Sequence, residues 1–293
     1  MRIVSLLPSA TEIVCALGLR DQLVGISHRC DFPPDVEGVT VVTAATDGAH
    51  DAADELGPAR LVREALSACD PELILVREAR TGLGSRQIEA ALIDMEDSPA
   101  IISLDPVSLE GILNTVSSIG AMTESEDDAM GLVEALREDL GEVEQQVVVR
   151  YDQGLRPRRV VVLEGLDPLM TSGRWVPEQV RRAGGWDLLG REGEAPVATT
   201  WEAVLDVDPD MLVIAPAGLT LIEAQQLFGR LALPEAWSQI EAVRRGHVFF
   251  VEPVYFSRPG PRVVDGVAML AEIFDPDAFV DASPPDSWTV LTK

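Results

Sequence analysis

His28-Arg29-Cys30-Asp31 brings three types of metal-ligating side chain into one short run, and no other segment of the chain is so dense in them. A protein-held metal needs further ligands from afar, such as His50 or Cys69, and the spacing fits no zinc pattern. The alternative is a turn ahead of Pro33-Pro34, in which His28 and Asp31 hydrogen-bond the backbone and Cys30 fills a small buried space. The other charged candidates are arginines at strand ends or in loops: Arg29, Arg77, Arg80, Arg174 and Arg258. Gathered together they would suit an anionic ligand, through bidentate contacts to carboxylate or phosphate. Pairing of Arg77 and Arg80 with Glu78 is the competing explanation. Aromatic residues are scarce, and Phe32, Trp175 and Tyr255-Phe256 fall in predicted loops, where flat faces would stack on a large planar ligand. Half-buried loop packing accounts for the same positions, whereas Trp186, Trp201 and Trp237 read as packing residues.

Several chemistries lack their usual marks. There is no GxxxxGK[ST] loop, and Gly82-Leu83-Gly84-Ser85-Arg86-Gln87 lacks the third glycine of a dinucleotide fingerprint. No GxSxG elbow is present, and the three histidines lie far apart. A formal charge of -26, from 49 Asp+Glu against 23 Lys+Arg, argues against nucleic acid. The same acidity fits a salt-adapted proteome or a solvated surface. Cys15, Cys30 and Cys69 are too few for a disulfide framework. Met1-Arg2 and the apolar Ile3–Leu7 imitate the start of a secretory signal, but Glu12 interrupts the run and no small-residue cleavage site follows. No segment approaches the ~20 apolar residues that cross a bilayer. As it stands, the sequence is expected to be cytoplasmic and not membrane-inserted, with an extracytoplasmic location if the true start lies upstream.

These residues need elements to position them, and the elements come twice. Glu64-Ala65-Leu66-Ser67-Ala68-Cys69-Asp70-Pro71-Glu72-Leu73-Ile74-Leu75-Val76 is echoed by Glu202-Ala203-Val204-Leu205-Asp206-Val207-Asp208-Pro209-Asp210-Met211-Leu212-Val213-Ile214. Both are helical stretches stopped at Asp-Pro and followed by an apolar run, so each is a helix feeding a buried strand. Thr11-Glu12 to Gly18, then Leu23-Val24-Gly25, is similarly echoed by Pro177-Glu178 to Gly184, then Leu188-Leu189-Gly190. Chance repetition within an α/β chain is the plainer explanation; duplicate lobes with a cleft between them is the informative one.

Strands are predicted at Ile3–Leu7, Leu23–Ile26, Val39–Val42, Leu73–Val76 and Ala100–Ser103, then at Arg159–Glu164, Met211–Ala215 and His247–Val251. Alternation with helices predicts a mostly parallel α/β fold. Ser9 and Glu12 are spaced as a capping box for the first helix. Helices are expected near Val176–Ala183, Thr200–Leu205, Leu221–Leu231 and Pro261–Phe274. From Ser125 to about Arg150, Leu132, Leu136, Leu140, Val143 and Val147 mark one face of a long acidic helix, roughly 39 Å at ~1.5 Å per residue. It reads as a strut between lobes or as an ordinary surface helix. The division is residues 1–123 as a first lobe, 124–150 as the linking helix, 151–276 as a second lobe, and 277–293 as a loosely packed tail.

Val4-Ser5-Leu6-Leu7-Pro8-Ser9-Ala10-Thr11-Glu12, Thr171-Ser172-Gly173 and Tyr255-Phe256-Ser257-Arg258-Pro259-Gly260-Pro261-Arg262 together resemble the vitamin B12 and iron-siderophore binding proteins of ABC importers, in order to about Phe274. The resemblance implies two Rossmann-like lobes joined by one long helix. A cobalamin-like corrinoid or related metal chelate would be held between them, with no catalytic residue, resident metal or permanent cofactor. It points to Ser9, Arg29, Phe32, Arg77, Met170, Trp175, Tyr255, Phe256 and Arg258 as ligand contacts. It also implies a permease partner, docked by Glu64 and Glu202, and a monomeric carrier. Asp47 and Arg77 stand where B12-binding members carry aromatics, and Glu78-Ala79-Arg80 where many leaderless relatives carry cysteines. A cytoplasmic corrinoid carrier or sensor, and a metal-dependent enzyme using His28, Cys30 and Asp31, are the competing readings.

Overall fold

A computed structural model describes residues 1–46, 59–77, 83, 85–93 and 98–291. Asp47, His50, Glu78, Ala79 and Arg80 lie outside the described residues. The chain divides into two compact units, Met1–Pro106 with Glu110–Ala135, and Val107–Leu109 with Leu136–Lys293.

In the first unit the strands are β1 (Ile3–Ser5), β2 (Leu23–Ile26), β3 (Thr40–Val41), β4 (Thr43–Ala45), β5 (Ala59–Leu61), β6 (Leu73–Val76) and β7 (Ala100–Ser103). The helices are α1 (Pro8–Ala16), α2 (Arg63–Cys69), α3 (Ser85–Ala91) and α4 (Leu109–Met122). A parallel sheet runs β3-β2-β1-β6-β7, and β4 and β5 form a separate antiparallel pair. Strand β6 is buried along its whole length, which is why Leu73-Ile74-Leu75-Val76 is a continuous apolar run rather than an alternating one. Ile74 and Val76 join Val4, Leu6, Val42, Leu66 and Ile88 in one core.

Helix α1 starts at Pro8, where the missing N–H costs nothing, and Leu7 is the N-cap without a side-chain cap bond. Ser9 therefore lies inside the first turn and the expected Ser9–Glu12 capping box does not form; both side chains are buried instead.

Helix α5 (Glu126–Asp152) has 27 residues, the first part belonging to the first unit and the part from Leu136 to the second. Leu136, Leu140 and Val147 are buried along it, while Leu132 and Val143 are partly covered.

The second unit contains β8 (Arg158–Leu166), β9 (Leu169–Thr171), β10 (Gly173–Arg174), β11 (Gly185–Asp187), β12 (Arg191–Glu192), β13 (Met211–Ile214), β14 (Val248–Val251) and β15 (Trp288–Val290). Its helices are α6 (Val176–Arg182), α7 (Trp201–Val207), α8 (Leu221–Phe228), α9 (Glu241–Arg245), α10 (Val254–Ser257) and α11 (Val263–Phe274). The main sheet runs β11-β8-β13-β14-β15, parallel except for β15, with β9 antiparallel against β8. Its order superimposes on the first sheet: β2, β1, β6, β7 correspond to β11, β8, β13, β14.

The duplication is physical. Helices α2 and α7 both end on an aspartate in the left-handed region, Asp70 at φ 44° and Asp208 at φ 40°, just before the proline. Aspartate enters this conformation more readily than most residues, and here the carboxylates reach distant partners, Asp70 the Arg2 guanidinium at 2.9 Å and Asp208 the Glu241 N–H at 2.7 Å. The second echo is shifted: β11 begins directly after Gly184, so Leu188 and Leu189 follow the strand and pack on the core.

Two expectations are corrected. The segment after Asp275-Pro276 is not loosely packed. Phe279 is buried, the Trp288 indole N–H reaches Ser283 Oγ at 3.1 Å, and β15 pairs with β14, covering an edge that would otherwise present unpaired backbone. Trp186 is not a packing residue either: it sits on edge strand β11 and is 64% exposed. Trp201 and Trp237 do pack, in a cluster with Phe228 and Phe250. Among the described residues no helix is long and apolar enough to cross a membrane.

Candidate functional site

In both units the candidate residues follow the C-terminal ends of parallel strands, where open α/β sheets bind ligands. Ser9 follows β1, Arg29 and Phe32 follow β2, and Arg77 follows β6. Met170, Arg174 and Trp175 come after β8, while Tyr255, Phe256 and Arg258 come after β14.

In the first unit, hydroxyls stitch the two leading loops together. Thr11 Oγ1 lies 2.9 Å from Ser5 Oγ and 3.1 Å from Cys30 Sγ, and Ser27 Oγ lies 3.1 Å from the same sulfur. His28 turns elsewhere: its backbone N–H donates to Thr43 Oγ1 at 2.9 Å and its Nδ1 lies 2.7 Å from that oxygen. Burial, helped by Arg29, lowers the His28 pKa and so favours the neutral ring. Asp31 is exposed. The three members of the dense cluster thus face separate surroundings, and among the described residues no group of three or more such side chains is placed to hold a metal. The expected turn is met only in part: Cys30 N–H closes a turn on Ser27 O at 3.1 Å, but the His28 ring lies against Thr43 instead of the turn's backbone, and Cys30 is half-buried.

Arg77 is a buried residue, and the expected pairing with Glu78 lies outside the described residues. It is only 6% exposed, and its Nε makes an ion pair with Asp105 Oδ1 at 3.2 Å, just past β7. Phe32 is 39% exposed and offers a face.

In the second unit the loop after β8 and the segment after β14 are fastened to each other. The Trp175 indole N–H donates to Phe256 O at 2.7 Å, and Gln179 Nε2 donates to Tyr255 O at 3.0 Å and Val263 O at 2.8 Å. Trp175 and Phe256 are buried, so they brace the site rather than present faces. Tyr255 is half-buried, with the Arg262 guanidinium 5.7 Å from its ring centroid. Met170, Arg174 and Arg258 are half-buried. Beneath the loop, Gly173 N–H donates to Glu164 Oε1 at 2.8 Å, while Ser172 Oγ bonds Asp187 Oδ2. Gly173 is the residue that backbone crowding demands: a Cβ there would stand 2.5 Å from Pro196 N and 2.6 Å from Glu194 O. Sequence reasoning singled out neither Glu164, Asp187, Gln179 nor Asp105. The available signal was Glu164 itself, a carboxyl ending the apolar run Val160–Leu163.

The periplasmic binding protein family model matches residues 3–255. The chain belongs to the periplasmic binding protein family. Members are carriers that hold a small molecule transiently for a permease, not enzymes, and they have no permanent cofactor. Similar proteins include an uncharacterised ABC transporter substrate-binding lipoprotein YvrC of Bacillus subtilis, 26% identical over 289 residues, covering 95% of this chain and 81% of that protein. A vitamin B12-binding protein of Pectobacterium atrosepticum is 24% identical over 266 residues, covering 90% of this chain and 84% of that one. A solved periplasmic haem-binding protein from Pseudomonas aeruginosa has the same fold, with a TM-score of 0.74, 21% identity and coverage of 100% and 98%.

Proposed function

We propose that this family member captures a corrinoid of the cobalamin type, or a closely related metal chelate, for ABC-type import, acting as a monomer. The observation that carries this reading is the common address of the candidate residues at the C-terminal sheet edges of both units, with flat and cationic side chains together. Phe32, Met170 and Tyr255 supply apolar and aromatic surface for a broad macrocycle. Arg29, Arg77 and Arg258 suit its amide and phosphate substituents. Ser9, Trp175 and Phe256 act from beneath as supports. The B12-binding relative favours cobalamin as the first ligand to try.

Glu64 and Glu202 are the proposed permease contacts. Each is exposed in the first turn of its helix, α2 or α7, at corresponding places in the two units. Arginines on the permease are the complementary chemistry.

Titration with cobalamin, cobinamide, haem and ferric siderophores, followed by tryptophan fluorescence, tests the ligand class. Saturable quenching by the corrinoids is expected; saturation by siderophores alone would overturn the corrinoid assignment.

A further inference from the structure

Two carboxyl groups sealed under the second unit's loop have no part in contacting a ligand. Glu164, on β8, is 5% exposed, and Asp187, on the neighbouring strand β11, is 7% exposed. Asp187 collects three donors: the Ser172 hydroxyl, Leu189 N–H at 3.1 Å and Gly190 N–H at 2.9 Å. Gly190 has no room for a side chain, since a Cβ would overlap Ser172 Oγ and the Asp187 carboxylate. Glu164 takes Gly173 N–H. The loop between β9 and α6 is therefore pinned at two consecutive residues by two buried acceptors.

We infer that Glu164 and Asp187 are positioning residues, which through Gly173 and Ser172 hold the 170–175 loop in its ligand-presenting shape. The role of the loop rests on the proposed corrinoid reading; the pinning does not. Burial pushes the Glu164 pKa up to about 8, against the Gly173 hydrogen bond and the Arg174 charge, and Asp187 adds to the rise. The charged groups facing it are Arg174 from the loop and Asp187 from β11. Glu194, whose backbone borders Gly173, has its carboxylate 3.6 Å from Arg191.

Amide hydrogen exchange on the ligand-free full chain tests this. Glu164→Ala should lower protection at Ser172–Trp175 about tenfold near neutral pH while leaving Leu212 and Val213 unchanged. Glu164→Gln, which keeps an acceptor for Gly173, should retain protection. Unchanged loop protection in Glu164→Ala, or a Glu164→Gln protein that loses protection as far as Glu164→Ala does, would overturn the inference. Cobalamin titration of the same proteins separates the two readings: a parent that binds no cobalamin removes the corrinoid assignment, while the exchange result still decides the pinning.

Discussion

Trp175 and Phe256, 81 residues apart in the chain, are joined by an indole N–H to carbonyl hydrogen bond of 2.7 Å with both side chains buried. The bond ties the loop after β8 to the segment after β14 and fixes the base on which Tyr255 stands. Trp175→Phe keeps most of the packing and deletes the donor, leaving the Phe256 carbonyl unsatisfied. We expect a loss of about 1–3 kcal/mol by urea denaturation. A Trp175→Phe protein as stable as the parent would show that the bond contributes nothing.

Gly173→Ala tests the crowding in the same loop. Its Cβ would meet backbone atoms, which cannot rotate aside, at Pro196 and Glu194. A destabilisation of roughly 1–3 kcal/mol is expected, more than for alanine at the exposed and open Gly131 in α5.

Glu164 makes stability pH-dependent with a definite sign. Its proton is retained up to about 8 in the folded chain but leaves near 4.5 in the unfolded one. Between those values the native state binds more protons, so stability falls as pH rises. The contribution is fully present below 4.5 and gone above about 8. Denaturation midpoints across this range should decline more steeply for the parent than for Glu164→Gln.

Glu64→Ala and Glu202→Ala should leave ligand affinity and stability unchanged, because both side chains are exposed. Uptake in vesicles reconstituted with the permease should fall, and fall further in the double variant. Normal uptake by the double variant would remove the docking role.

Much of the fold was legible because buried parallel strands write themselves as unbroken apolar runs. Leu23–Ile26 and Leu73–Val76 have the bounds their sequences suggest, and so does Ala100–Ser103, although as an edge strand it is exposed at both ends. The short pairings Leu169–Thr171, Gly173–Arg174 and Arg191–Glu192 carry no such run; tertiary contacts make them. Within the site, sequence did not separate exposed aromatics from buried ones: Trp175 and Phe256 are buried and Trp186 is exposed. Trp175 is buried because of Phe256, far along the chain, whereas Trp186 is exposed because β11 ends its sheet. Arg77 makes an ion pair with Asp105, just past β7, a partner 28 positions away that local spacing could not suggest. Such pairings depend on which strand ends become neighbours, and local spacing does not encode that.

Equilibrium dialysis of cobalamin against the parent, Phe32→Ala and Tyr255→Ala proteins tests the central claim most directly. One saturable site per chain is expected, with affinity reduced about tenfold or more by each substitution. Absence of saturable binding by the parent, or binding indifferent to both substitutions, would contradict it.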